Sequence, residues 1–162
     1  DSIVTVNMGV PKFSWNEIPL SKYQNTQNVK LDEFEAFCLS IGNPHAVIFI
    51  NNLEELENLN INSIGPRLEK NSIFPEFANI EFVSILEDKS LRMRVWERGA
   101  GMTSACGSGA CATLVAASSL DKSAKENKIV LDGGDLFIKW LDNGSVTLSG
   151  DTERVFEGFI GE

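Results

Sequence analysis

Residues 91–96 alternate without a break: Leu91, Met93 and Val95 fall on one side, Arg92, Arg94 and Trp96 on the other. A period of two predicts a strand with one buried face. Apolar runs predict further strands at 3–8, 34–39, 45–50, 79–86, 129–131, 136–141 and 146–148, and an apolar segment at 155–160 closes the chain. Short surface helices are expected at 53–59 and 64–70, as scaffolding. Gly42-Asn43-Pro44 separates two of the strands. Pro44 has no amide hydrogen and pushes Asn43 out of the helical region, so 41–45 reads as a bend that aims side chains. Asn143-Gly144 predicts a hairpin through a type I′ turn, whose two central positions need positive φ.

One element breaks this β pattern. Residues 110–120 are apolar or small on nearly every face, so a helix there must be covered all round. No charged residue occurs from Gly99 to Leu120, yet the glycines, serines and threonines make the stretch too polar for a lipid core. Many strands and one enclosed helix predict an α+β domain. In it, a mixed β-sheet curls into a barrel around a central buried helix, from about Ser108 to Leu120.

Composition narrows the function. The chain has 162 residues, 43% hydrophobic and 23% charged, without linkers or repeats, and reads as a single domain over 1–162. A net charge of −9 argues against non-specific binding to nucleic acid. There is no leader-like start and no membrane span. The opening directly into a strand, without Met, reads as part of something longer. Three cysteines do not suggest a disulfide framework, and a reducing, cytoplasmic setting is expected. With one histidine and no paired cysteines, no metal site is expected.

The segment 96–111 carries the chemistry. It sets Cys106 between a glycine loop and the start of the buried helix. Free N–H groups at a helix start bear partial positive charge and would stabilise a thiolate or a docked carboxylate. The same position also suits a small buried residue beneath a loop. Cys111 and Cys38 read as packing. Glu97 and Arg98 are adjacent charges at a strand end, and an arginine fork suits a carboxylate. His45 follows the rigid bend, as a structural histidine or as a base. Spacing alone does not bring it to Cys106.

These residues resemble diaminopimelate epimerases. The resemblance rests on Glu97-Arg98-Gly99-Ala100-Gly101 and on the run from Ala105-Cys106-Gly107-Ser108-Gly109-Ala110-Cys111 to Ala112. Val6-Asn7-Met8-Gly9 with Pro11, Gly42-Asn43-Pro44-His45, Phe74-Pro75-Glu76 with Asn79, and Val155-Phe156-Glu157-Gly158 agree in order and spacing. The likeness covers essentially the whole chain, as the second of the family's two domains. It implies a cofactor-free epimerase that interconverts LL- and meso-diaminopimelate for lysine and peptidoglycan synthesis. One thiolate removes the α-proton and a second thiol reprotonates the opposite face. Carried over by motif, Cys106 is one of the two thiols. His45 and Glu97 are polar partners that tune the thiols, and Gly107 and Ser108 are donors to the reacting carboxylate. Asn43, Asn79 and Arg98 recognise the distal amino acid end, and Glu97 stands beside them.

The chain departs from the pattern in three places. The motif of the other domain, an Asn-Gly segment leading to a Cys, is absent, so the chain looks like half an enzyme, with the N-terminal domain as its expected partner. Met102 stands where many members have Glu, and Gly150-Asp151 replaces Gly-Pro, a change expected to touch only a turn. Two other readings stay open: a sibling racemase or isomerase of the same fold, and a non-catalytic carboxylate-binding module. Pairing of two copies is also left open.

Overall fold

The computed structural model describes residues 2–161. The chain runs β1 (Ser2–Asn7), β2 (Val29–Leu31), β3 (Phe34–Ser40), β4 (Pro44–Phe49), α1 (Leu53–Asn58), α2 (Ile61–Glu69), β5 (Asn79–Ile85) and β6 (Leu91–Glu97). It continues with β7 (Gly101–Thr103), α3 (Gly107–Ser119), β8 (Glu126–Leu131), β9 (Gly134–Trp140) and β10 (Val146–Thr152). The strands form one sheet in the order β1-β10-β9-β8-β6-β5-β4-β3-β2, with β7 beside β6. The β4–β5 and β6–β8 pairs are parallel and the others antiparallel, so the sheet is mixed as expected.

Helix α3 packs against β3, β4, β5, β6, β8, β9 and β10. Every residue from Gly109 to Ala117 is buried, which accounts for a helix with no polar face. The expected barrel does not form. The sheet ends at β1 and β2, which do not pair with each other. The β2–β6 end carries a second layer on its other face, where Cys38, Ala46, Ile48, Ile80 and Phe82 pack with Leu56, Ile61 and Leu68 of α1 and α2. One end of the sheet is thus held between two layers, and its edges β1 and β2 stay apart.

That second layer also changes the reading of β6, whose polar face is covered rather than solvated. Arg92 Nε donates to Glu57 Oε1 at 2.7 Å, and the guanidinium also pairs with Asp132. Arg94 Nη1 donates to the carbonyls of Leu56 (2.9 Å) and Glu57 (3.1 Å), closing the C-terminal end of α1. The indole of Trp96 lies flat on Gly65 of α2. A Cβ at Gly65 would come within 2.4 Å of the ring, so only glycine permits the approach.

Three local expectations change. The β9–β10 hairpin exists, but Gly144 alone of its turn pair has positive φ (89°). Gly144 N–H donates to Leu141 O and Leu141 N–H to Ser145 O, a turn closed by a glycine bulge rather than type I′. Asn143 Oδ1 instead accepts from Ser145 N–H and its hydroxyl. Gly150 sits within β10 opposite Val4, not in a turn, and a Cβ there would come within 2.9 Å of Leu136. Beyond Thr152 the chain takes no regular structure to residue 161, and Val155, Phe156, Phe159 and Ile160 are exposed.

Candidate active site

The register of three strands assembles the site. In the parallel β4–β5 pair His45 lies opposite Asn79 and Val47 opposite Glu81, and in β5–β6 Glu81 lies opposite Val95. Val47, Val83 and Val95 belong to the core around α3, so side chains of the same parity point the same way. His45, Asn79, Glu81 and Glu97 therefore share the face on which α3 begins.

Cys106 caps α3. Its backbone is extended (φ −141°, ψ 107°), and Gly109 N–H donates to its Sγ at 3.4 Å. Ser108 Oγ lies 3.7 Å from the same sulfur. A Cβ at Gly109 would come within 2.9 Å of Glu81 Oε1 and 3.2 Å of Cys106 Sγ. Glycine thus leaves the notch in which thiol and buried carboxyl approach the first helical turn.

The expected stabilisation of a Cys106 thiolate is present but outweighed. The thiol is only 7% exposed, and burial pushes it up to about 11. The negative charge of Glu81 adds to the rise, and Glu97 adds less. The Gly109 amide and the Ser108 hydroxyl pull the other way. Burial holds Cys111 higher still, at about 12, and raises Cys38 beyond that range. Under iodoacetamide, Cys106 should therefore label before Cys111 and Cys38. Its rate should keep climbing with pH toward about 11, because the thiolate is the nucleophile. Mass mapping of the labelled peptides checks the order; a plateau reached below about pH 9 contradicts the dominance of burial.

Around Cys106 the other expected residues fall into two groups. One is a chain of polar contacts: Glu81 Oε1 lies 2.6 Å from His45 Nδ1, His45 Nε2 lies 2.9 Å from Asn43 Oδ1, and Asn43 Nδ2 donates to Ser108 Oγ at 3.3 Å. His45 is thus linked to Cys106 through Asn43 and Ser108, with no direct bond to the sulfur. The second group braces the turn after β6. Asn79 Nδ2 donates to Pro44 O (2.9 Å), and its Oδ1 accepts from Arg98 N–H (2.9 Å), tying the start of β4 to the end of β6. Glu97 Oε1 accepts from Thr103 Oγ1 at 2.5 Å. The exposed Arg98 donates to Glu76 O at 3.1 Å.

Sequence reading missed two carboxylates. Glu69 accepts from Trp96 Nε1 and from Gly99 N–H, each at 2.8 Å, and so holds the turn that presents Glu97 and Arg98. Glu81 is wholly buried, with Oε2 unpartnered. Its place two residues after Asn79, on the same face of an otherwise apolar strand, is the signal that could have found it.

Amide donors at a helix start, a hydroxyl and a thiol are groups that can hold an anion and move a proton. The diaminopimelate epimerase family model matches residues 37–155. The diaminopimelate epimerase of Acidiphilium cryptum is 45% identical over 161 residues, covering 97% of this chain and 57% of its own length. That of Phocaeicola vulgatus is 44% identical over 162 residues, with the same two coverages of 97% and 57%. The chain therefore spans little more than half the length of these curated relatives.

Solved structures share the fold at low identity. A predicted epimerase from Pseudomonas aeruginosa superposes with a TM-score of 0.58 at 16% identity, covering 91% of this chain and 55% of that one. A hydroxyproline epimerase from Agrobacterium vitis gives 0.54 at 12% identity, with 91% and 49% covered. Family model and relatives together assign the sequence: the chain belongs to the diaminopimelate epimerase family.

Proposed function

We propose that this chain is the domain of a diaminopimelate epimerase that contributes one of two acid/base thiols, and that Cys106 is that thiol. The observation that carries this reading is the sulfur's place as the N-cap of a buried helix. There the amides of the first turn and the Ser108 hydroxyl surround the position at which a reacting carboxylate would sit. Inversion at carbon needs an acid and a base on opposite faces. The α-proton is weakly acidic, so the developing carbanion needs fixed dipoles in a dry setting. Gly107 and Ser108 supply those dipoles to the α-carboxylate. Asn43, Asn79 and Arg98 recognise the distal amino acid end, with Glu97 beside them. His45 acts on the thiol chemistry as a polar partner.

A thiol held near 11 is mostly protonated at neutral pH. That suits the proton-returning role in the resting site. The second thiol belongs to a further domain, and the coverage of 57% in the relatives leaves room for one. The reading includes no cofactor. A cytoplasmic setting goes with three free cysteines, and among the described residues no helix is long and apolar enough to cross a membrane.

A proline-type racemase is the rival on fold alone, since neighbours of that kind share the architecture. Identity of 42–45% to diaminopimelate epimerases favours the first reading. The full-length protein should exchange the α-proton of LL- and meso-diaminopimelate with D2O, followed by NMR, and leave proline untouched. Exchange of proline alone would overturn the substrate assignment; exchange by this chain without a second domain would overturn the two-domain account.

A further inference from the structure

His45 and Glu81 are both 0% exposed, and the chemistry assigned to the site uses Glu81 nowhere. We propose that Glu81 is a positioning residue that shares one buried proton with His45. The ring then presents Nε2–H to Asn43, and the pair carries no net charge beneath the Cys106 turn.

Asn43 uses its Nδ2 toward Ser108 Oγ, which leaves Oδ1 facing His45 Nε2 at 2.9 Å. A carbonyl oxygen only accepts, so Nε2 carries a hydrogen. The 2.6 Å contact between Nδ1 and Glu81 Oε1 then needs one more hydrogen. On nitrogen it gives imidazolium and carboxylate; on oxygen it gives a neutral ring and a carboxylic acid. Either form is neutral as a pair. A bare carboxylate would be the costly alternative: Oε2 has no partner, and among the described residues His45 is the ion-pair partner of Glu81.

Cys38 approaches from β3, Cys106 and then Cys111 lie at the start of α3, and Glu97 of β6 faces Cys106. None of them carries positive charge. The proton shared with His45 offsets part of the Glu81 charge that raises Cys106. The pair also fixes the Asn43 amide, so that its NH2 reaches Ser108 at the mouth of the site. The positioning role rests on the acid/base reading of Cys106; the proton arrangement does not.

The chain has one histidine, so a single imidazole appears in a spectrum of 15N-histidine-labelled protein. Two-bond 1H–15N correlation across a pH series reads each ring nitrogen. The expected result is a ring that carries a hydrogen on Nε2 in the folded protein. Glu81→Gln should keep that signature, because its amide can donate to Nδ1 in place of the acid. A ring protonated on Nδ1 alone overturns the proposal. So does loss of the Nε2–H signature in a folded Glu81→Gln protein. If that variant does not fold, the unsubstituted chain decides. The spectrum needs no turnover, so failure of the epimerase assay leaves this result standing.

Discussion

Cys106→Ser is expected to reduce α-proton exchange by the full-length protein at least 10²-fold, and by as much as about 10⁴-fold, while the domain stays folded. Serine is among the preferred N-cap residues, so its hydroxyl can accept the Gly109 N–H bond that the sulfur now accepts. The geometry of the first helical turn survives. The acidity does not, since an alcohol gives up its proton far less readily than even a thiol raised to about 11. Exchange rates in D2O, set beside thermal unfolding of the same variant, separate the two effects. A serine variant that exchanges within tenfold of the parent would show that Cys106 is not the working group.

Leu114→Ala is expected to cost about 2–5 kcal/mol of stability, toward the upper end of that range. Leu114 is fully buried in the middle of α3. The cost of such a deletion depends on how far the surroundings collapse into the gap. Here the surroundings are strands pinned to their neighbours on both sides of the helix, and Ala110, Ala112, Ala116 and Ala117 offer no longer side chain to fill the void. Urea unfolding should show a lower midpoint at unchanged slope. A loss below about 1 kcal/mol would mean the sheet follows the helix inward.

Features that depend on short stretches of sequence were legible. The bend before β4, which ends at Asn43 rather than at His45, the alternation in β6, the apolar helix and the thiol at its start each follow from a few consecutive residues. Partners far apart in the chain were not. Glu81 meets His45 across 36 positions, and Glu69 meets Gly99 across 30. Each looks in sequence like one more polar residue in an alternating strand or on a helix surface. The barrel was misjudged for a related reason. The pattern of α3 says that it must be covered, but not that α1 and α2 claim the opposite face of the same sheet. The helix-start argument anticipated an amide of the first turn at Cys106, without naming Gly109, and left out burial, which dominates.

The order of the strands gives synthesis a direction that matters. α3 ends at Ser119, but much of its cover, β8 to β10, lies between Glu126 and Thr152. On a ribosome adding about 5–20 residues per second, that helix waits a few seconds with one flank bare after it is made. Its lack of any polar face, which makes it a good core once enclosed, makes the nascent chain most prone to stick to its neighbours during that interval. A translational pause just after α3 would lengthen the interval, and one after β10 would not.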